Sequence, residues 1–405
     1  MKKLLPVFML CAVTAFGQTD TIKNPTTAQQ PAKPRPKWFE QISLRGYLQV
    51  RYNRLLETNP QLKCEQCDRS WGENGGIFIR RARIVFSGQL HERIYFYIQP
   101  DFASAPSSSA QHFVQLRDAY VDIGLDRKNE FRIRLGQSKI PYGFENMQSS
   151  QNRLPLDRND ALNSAVGNER DLSAFFYWAP ERIRKLFSSL VSEGYKGSGD
   201  YGVFGFGVFN GQTANRPEQN DELHMVGRIT YPVEVGSQII EPSIQAYTGK
   251  YVVTTDQLSP GLKVKPDRNY TDQRVAATLV LYPKPFGIQA EYNIGRGPEF
   301  NNTTDSVEIR SLTGGYATLS WMLKAKEQLI YPFFRMQYYS GGKKHELDAR
   351  SYDVNEYELG IEWLPIKNFE LLAQYTISRR RFEDFRNQNN TQKGRLLRLQ
   401  AQLNF

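Results

Sequence analysis

Segments of about ten residues, in which apolar and polar side chains alternate, follow one another from Ile42 to the end of the sequence. In the first segment, ISLRGYLQVRY, the apolar face carries Ile42, Leu44, Leu48 and Val50, and the opposite face carries arginine, tyrosine and glutamine. A period of two residues places successive side chains on opposite faces of a β-strand. The recurrence of this pattern predicts an all-β protein.

About sixteen segments have this pattern, an even number of the kind that single-chain bacterial barrels have. The predicted strands are 42–52, 77–90, 93–102, 113–125, 131–140, 171–178, 201–210, 222–232, 237–248, 271–283, 286–295, 308–322, 328–340, 353–364, 368–379 and 395–405.

The lengths of the connections distinguish a barrel from a soluble sandwich. Long connections such as 54–75, 249–270, 296–307, 341–352 and 380–394 alternate with tight ones such as His91-Glu92 and DRKN at 126–129. An up-and-down barrel with short periplasmic turns and long outer loops requires this alternation, and a Greek-key sandwich does not. Residues 179–200 break the rule, because they are long where a short turn is expected. They predict an inserted hairpin or helix, or a strand count that is wrong by two.

The two ends of the chain support export to an outer membrane. The sequence opens with two lysines, a short apolar core and the small-x-small site Ala15-Phe16-Gly17, which predicts a cleaved signal peptide over 1–17. Residues 18–40, rich in Pro, Thr, Gln and Lys, are predicted to form a disordered periplasmic linker. No later apolar run approaches the twenty residues of a membrane helix. Residues 41–405 are therefore predicted to form a transmembrane antiparallel β-barrel, whose last strand ends on Phe405 in register with the apolar face.

The net charge of +10 constrains the partners of such a barrel. Nucleic acid is a poor partner for an exported chain without a nucleic-acid motif, so small anionic solutes or anionic outer-membrane lipid, including lipopolysaccharide, are the expected partners. Cys64 and Cys67 form a lone C-x-x-C, which supplies only half of a structural zinc site. A local disulfide is the favoured interpretation, and neither a metal site nor a cofactor is predicted.

In a water-filled barrel the polar faces of the strands line the lumen. Many polar wall residues can instead pair across strands and stiffen the wall. In FIRRARIVFSGQL, residues 78–90, Arg81, Arg83 and Ser87 are predicted to face the lumen, whereas Arg80 falls on the lipid side near the outer interface. The candidate pore-lining or constriction residues are Arg45, Arg51, Arg81, Arg83, Arg132, Arg134, Lys139, Arg153 and Arg158.

The motifs FIRRARIVFSGQL, YIQPDF, LRDAYVDIGL, RIRLGQSKIPYGFE and VFNGQ resemble the phosphate-selective porins of the O/P type, over a region from about Arg45 to Phe405. The resemblance implies a sixteen-stranded barrel, a homotrimer of separate pores, and a long loop folded into each lumen, which corresponds to about 141–170 here. It also implies phosphate selectivity through lysines of that loop and arginines of the wall. Loop 141–170 contains no lysine, so the resemblance implies the channel more firmly than phosphate specificity.

Three functions are compatible with these features. The favoured one is a porin for passive diffusion of small hydrophilic solutes with a preference for anions. The second is a binding or assembly barrel with an occluded lumen. The third is a barrel enzyme, which is disfavoured because none of the four histidines, at positions 91, 112, 224 and 345, lies in a nucleophile motif. The sequence therefore predicts a channel without catalytic activity.

Overall fold

The computed structural model describes residues 38–62, 64, 76–103 and 112–405. The predicted signal peptide (1–17) and most of the predicted linker (18–40) lie outside these residues. Residues 38–40 of the predicted linker belong to one turn of 3-10 helix, Trp38–Gln41, directly before the first strand.

The part of the chain that the structure describes forms one closed sheet of sixteen antiparallel strands, which confirms the predicted fold. The strands, β1 to β16 in chain order, are Ile42–Leu55, Ile77–His91, Ile94–Asp101, Gln115–Gly124, Phe131–Lys139, Arg170–Trp178, Phe204–Phe209, His224–Thr230, Gln238–Val252, Asn269–Leu281, Phe286–Asn301, Ser306–Trp321, Gln328–Gly342, Ser351–Ile366, Phe369–Glu383 and Thr391–Asn404. Short segments continue β8 and β12 beyond a break, at Val233–Val235 and Leu323–Ala325.

The barrel closes between its first and last strands. β1 pairs with β2 on one side and with β16 on the other, where Tyr47 lies opposite Asn404. Gly46 and Phe405 exchange two backbone hydrogen bonds of 2.7 and 3.0 Å. A Cβ atom at Gly46 would lie 2.6 Å from the Phe405 ring, so this position requires glycine. Closure pairs the first strand with the last, so neither forms a free edge of the sheet, as a membrane barrel requires.

Within the described ranges, three α-helices lie between strands. Helices α1 (Phe144–Met147) and α2 (Asp160–Ala165) lie between β5 and β6, and α3 (Glu181–Ser192) lies between β6 and β7. Two further 3-10 turns, Thr255–Gln257 and Leu347–Ala349, belong to long loops. Among the described residues, no helix is both long and apolar enough to cross a membrane.

Helix α3 explains the connection that broke the alternation of lengths. The strand count is right, and residues 179–203 are an enlarged short-side turn that contains this helix. Ile183, Phe187 and Leu190 of α3 are buried against inward-facing side chains of the wall, including Val280 and Tyr282. The enlarged turn therefore extends into the barrel from the end that carries the short turns.

The predicted long loop at 296–307 is wrong. Strands β11 and β12 pair without interruption from Phe286 and Trp321 to Asn301 and Ser306, which leaves only 302–305 as a turn. The sequence GRGPEF favoured a loop because glycine and proline interrupt strands. Beyond Arg296, however, β11 pairs only with β12. Pro298 consequently lies on an edge of the sheet, where proline is tolerated.

Candidate channel site

Residues 140–169, which connect β5 and β6, lie inside the barrel. Nearly all of their side chains are buried, including polar ones such as Glu145 and Asp160. Near the start of the connection, the Tyr142 hydroxyl donates to Asn293 Oδ1 at 2.7 Å, and the Phe144 amide donates to Glu291 Oε2 at 2.7 Å. Both acceptors lie on β11, across the lumen from β5. We call residues 140–169 the inward loop.

Ion pairs attach the inward loop to the wall formed by β13 to β16. Arg335 of β13 donates to Glu145 Oε1 at 2.9 Å and also contacts Glu358 of β14 at 2.5 Å. Arg398 of β16 pairs with Asp157 of the loop. Buried charges are stable only when paired and hydrogen-bonded, and removing one partner is strongly destabilising. The loop is therefore held on this side of the lumen.

Asp160, the first residue of α2, is the second attachment point. Its Oδ1 atom accepts a hydrogen bond from Arg380 of β15 at 3.2 Å, and its Oδ2 atom forms an ion pair with the same arginine at 2.8 Å. Asp160 also pairs with Lys343, which belongs to the loop after β13. Arg380 also contacts Glu356 of β14 at 2.9 Å. The Asp160 side chain thus connects three parts of the protein: the inward loop, strand β15 and the loop after β13.

Asp160 makes this attachment sensitive to acid. Burial raises the pKa of its carboxyl group, but the charges of Arg380 and Lys343 outweigh burial and hold the pKa at about 2. Because the unfolded-chain value is about 3.9, this group stabilises the fold fully above that pH, and its contribution is lost as the pH falls toward 2. We expect the unfolding temperature to drop below about pH 4 and to drop less in Asp160→Asn. Equal drops in both proteins would show that other groups cause the acid sensitivity.

Open space remains beside the neighbouring wall of β1 to β5, which adjoins β16, and we call this space the passage. Two cavities of about 330 and 380 Å³ follow the wall of β1 to β5 and share four lining residues, Tyr95, Tyr120, Arg134 and Asp200. The inward loop contributes Met147, Ser149, Gln151 and Asn152 to the first cavity, and the enlarged turn 179–203 lines both.

The charges along these two cavities are mainly positive. Three acidic side chains line them in the part of the chain that the structure describes, namely Asp118, Asp122 and Asp200. Seven basic side chains line them, namely Arg45, Arg93, Arg132, Arg134, Lys139, Arg170 and Arg184.

Each of the three acids is paired with arginine. Asp118 contacts Arg170 at 2.9 Å, Asp122 accepts two hydrogen bonds of 2.7 and 2.8 Å from Arg134, and Asp200 contacts both Arg132 (2.8 Å) and Arg184 (2.9 Å). Among the described residues, no carboxylate forms an ion pair with the remaining three lining cations, Arg45, Arg93 and Lys139. Arg45 and Arg93 are exposed, so their charge is available to an anionic solute, whereas Lys139 is buried and bonds to the inward loop.

Two tyrosines lie between arginines on the passage wall. Tyr97 of β3 and Tyr120 of β4 are directly opposite each other, with ring centroids 5.1 Å apart and planes inclined by 10°. The guanidinium carbon of Arg134 lies 3.9 Å from the Tyr120 ring centroid, and that of Arg45 lies 5.8 Å from the Tyr97 centroid. Contacts of this kind hold cations over aromatic rings and orient the guanidinium groups.

The structure separates the nine predicted basic residues into two groups. Four of them line the passage: Arg45, Arg132, Arg134 and Lys139. The other five are buried away from it: Arg51, Arg81, Arg83, Arg153 and Arg158. The ammonium group of Lys139 donates to the carbonyl oxygens of Met147 and Gln148 in the inward loop, at 3.1 and 2.6 Å.

The buried five bond to the protein itself. Arg51 donates to Gln400 Oε1 at 2.6 Å, Arg81 donates to Gln49 Oε1 at 2.8 Å, and Arg83 contacts Asp101 at 2.6 Å. In the inward loop, Arg153 donates to the carbonyls of Pro155 and Leu156, and Arg158 pairs with Glu169. Most arginines of β1 and β2 therefore bond to neighbouring groups of the protein. They do not form a continuous row of positive charge that is free to bind a solute.

The predicted lipid-side position of Arg80 is wrong. Gln49 pairs with Arg81 and Val50 with Ile79, so Arg80 is the extra residue of a β-bulge. Arg80 Nε is shielded from solvent. Burial raises the pKa of Asp157 in the inward loop, but the positive charges of Arg398, Arg51 and Arg80 outweigh burial and hold this pKa well below its usual range. Arg80 therefore points into the barrel beside Arg81.

The bulge also exchanges the predicted faces of the preceding residues. Strict alternation would place Phe78 on the lipid side together with Arg80, but Phe78 lies opposite the inward-facing Arg51, and Ile77 is 79% exposed on the outer face. A bulge inserts one residue without a partner. Each residue before the bulge therefore lies on the face of the sheet opposite to the one that strict alternation predicts. Strict alternation cannot reveal such an insertion.

Three cations of the passage, Arg93, Arg170 and Arg184, were not among the predicted site residues. Arg93 lies in the tight turn before β3, and Arg184 lies in α3. Arg170, the last residue of the predicted loop 141–170, instead begins β6. In the sequence, the unexpected length of the connection 179–200 was the one feature that could have indicated Arg184 and Asp200 as residues of the site.

Two sequence predictions concern the cysteines and metal ions. Cys64 is disulfide-bonded. Cys67 lies outside the described residues, so the Cys64–Cys67 pairing stays a prediction. Within the described ranges, no group of three or more His, Cys, Asp or Glu side chains could hold a metal ion.

Comparison with known proteins agrees with the barrel fold. The family model of phosphate-selective porin O and P matches residues 62–405. No curated protein matches the sequence. Three solved structures share the fold over 90% of this chain: the outer membrane channel DcaP of Acinetobacter baumannii (13% identity, 97% of that chain, TM-score 0.54), an anion-selective porin from Comamonas acidovorans (9%, 99%, 0.54) and the trimer form of OmpT from Vibrio cholerae (11%, 99%, 0.50).

Proposed function

The chain belongs to the phosphate-selective porin O and P family and is an outer-membrane channel protein, and from this premise we propose that it conducts small hydrophilic solutes with a preference for anions. The observation that carries the proposal is the charge of the passage. Seven basic side chains face three acidic ones, and Arg45, Arg93 and Lys139 have no carboxylate partner among the described residues. Charges of one sign along a narrow channel concentrate counter-ions and exclude co-ions.

Reversal potentials in a salt gradient test the preference. Wild-type pores in a planar bilayer should favour chloride over potassium. Arg45→Gln with Arg93→Gln should lower the anion-to-cation permeability ratio about two- to fivefold, because two free cations leave the passage. The matched control, Arg45→Lys with Arg93→Lys, keeps both charges and should retain the wild-type ratio. A cation-selective wild type, or equal ratios in the two variants, would contradict the proposal.

Within this proposal, a specificity for phosphate over other anions would depend on which basic residues the solute contacts. The two arginines of the inward loop that the sequence offered, Arg153 and Arg158, donate to loop carbonyls and to Glu169, away from the passage. Phosphate would instead meet the exposed Arg45 and Arg93, each of which can donate two parallel hydrogen bonds to its oxygens. Millimolar inorganic phosphate should reduce the chloride current if these residues form a phosphate site. Unchanged current would leave a general anion channel.

The alternative function is a binding or assembly barrel with an occluded lumen. The observation that favours it is the amount of chain inside the barrel, because the inward loop and the enlarged turn 179–203 both occupy the lumen. Such a scaffold would show no stable open-channel current in planar bilayers. Discrete, reproducible conductance steps would exclude it.

A homotrimer is also part of the proposal. The OmpT structure that shares the barrel over 90% of this chain is a trimer form. Native mass spectrometry of the purified protein in detergent should show three copies. A single copy under conditions that retain bound lipid would contradict the trimer without affecting the channel.

A further inference from the structure

Three basic residues lie on the outer, lipid-facing side of β15 and β16. Arg379 lies directly opposite Lys393, and Ile377 lies opposite Arg395, two residues nearer the short turns. The next outward pairs in the same direction are Tyr375 with Leu397 and Ala373 with Leu399, which are apolar. The cations, which we call the basic patch, therefore lie where the apolar lipid-facing band ends toward the long loops.

The basic patch has little compensating negative charge. Arg379 contacts Asp353 at 2.9 Å, with 46% and 36% of the two side chains exposed. Lys393 and Arg395 form no ion pair with any carboxylate in the described ranges. Like charges directly opposite each other on neighbouring strands destabilise a sheet. An anion from outside the described chain, placed beside Lys393 and Arg395, would reduce this repulsion.

An apolar groove continues from the basic patch across the neighbouring strands. One hydrogen-bonded row runs from Lys393 and Arg379 through Asn355, Tyr338, Gly315 and Tyr292. The adjacent row runs from Arg395 and Ile377 through Tyr357, Met336, Ala317 and Ala290.

Small residues form the floor of this groove, and large ones form its rim. Ala277, Ala290, Gly315 and Ala317 leave a groove of about 520 Å³ on β10 to β14. Its rim carries half-exposed apolar and aromatic side chains, among them Tyr292, Met336, Tyr338 and Tyr357. Since barrel strands are tilted by about 35–45°, a row across them runs obliquely through the lipid layer. An acyl chain attached to a headgroup at the basic patch can follow such a row.

We propose that the basic patch and this groove together bind one outer-leaflet lipid that carries a phosphorylated headgroup. Arg379, Lys393 and Arg395 contact the phosphate oxygens, and an acyl chain lies along the groove. Arginine binds phosphate through two parallel charge-assisted hydrogen bonds, and lysine contributes a point charge. A second copy of this chain fits the patch less well, because the chain itself carries a net charge of +10.

Lipid A with two phosphate groups is the probe for the first experiment. Titration into the purified protein in detergent should raise the unfolding temperature, and native mass spectrometry should show one retained lipid A per chain. The triple variant Arg379→Gln, Lys393→Gln, Arg395→Gln should weaken binding at least about tenfold. The control Lys324→Gln, Lys326→Gln, Lys367→Gln removes the same charge from exposed positions at the short-turn end and should bind normally. Equal affinity in the triple variant and wild type would overturn the proposal.

A second variant separates the lipid from other occupants. The double variant Ala290→Leu with Ala317→Leu fills the groove. It should weaken the binding of lipid A and leave the affinity for inorganic pyrophosphate unchanged. If pyrophosphate binds the patch as tightly as lipid A does, the site serves soluble phosphate and the lipid assignment is wrong. If either variant changes the number of copies in the assembly without changing lipid A retention, the surface is a contact between subunits, which also overturns the proposal.

Discussion

Replacing residues 181–200 with a short Gly-Ser turn is expected to raise the single-channel conductance about two- to threefold, because the lumen of a barrel of this size is narrowed by whatever chain folds into it. Arg184 and Ser188 of α3 line one cavity, and Ser198 and Tyr201 of the following segment line the other. Removing most of this segment widens the passage opposite the wall of β1 to β5.

The barrel itself should tolerate this replacement. Strands β6 and β7 pair directly from Trp178 and Phe204 onward, and the Val203 amide donates to the Trp178 carbonyl at 2.7 Å. The control is deletion of 216–221, a mainly exposed part of the loop before β8 that lines neither cavity. Conductance should be unchanged in the control. An unchanged conductance in the main variant would show that the enlarged turn does not limit the current.

Asp160→Ala is expected to lower the free energy of unfolding by about 3–5 kcal/mol, the usual cost of removing one partner from a buried ion pair. The change leaves Lys343 and Arg380 as buried cations that face each other without their shared carboxylate. It also removes the side-chain attachment of α2 to β15, so open-channel current noise should increase. Guanidinium unfolding of the protein in detergent and bilayer recordings measure the two effects.

The comparison for this variant is an ion pair on the outer surface. Asp353→Ala breaks the partly exposed contact with Arg379 and should cost only about 0–1 kcal/mol, since exposed pairs contribute little. Similar losses in Asp160→Ala and Asp353→Ala would mean that the inward loop does not depend on this attachment. If Asp160→Ala lowers the free energy of unfolding without increasing the current noise, the role of Asp160 is limited to stability.

Strand number and position were predictable because both depend on local sequence. All sixteen predicted segments correspond to strands, and the alternation of apolar and polar residues identified the outward faces of most of them. Errors occurred where a strand departs from strict alternation. The bulge at Arg80 reverses the faces of 77–79, and the proline of β11 concealed a hairpin that continues to Asn301.

The site was less predictable than the barrel because its partners are distant in sequence. Asp160 and Arg380 are separated by 220 positions, and Glu145 and Arg335 by 190. Neither pattern nor spacing shows that these groups meet, so the sequence could not distinguish arginines that bind the inward loop from those that face solute. Arg51 and Arg83 looked equivalent to Arg45 on alternating strands, yet only Arg45 lines the passage.

Period-two alternation, loop lengths and the signal-like start were enough to derive a sixteen-stranded barrel, since each strand of a membrane barrel separates lipid from the lumen along its own length. The side of the lumen on which the inward loop lies, and hence the cations left free for anions, follows from ion pairs with β13 to β16. These contacts depend on closure of the sheet, because closure alone brings strands from both ends of the chain around one interior.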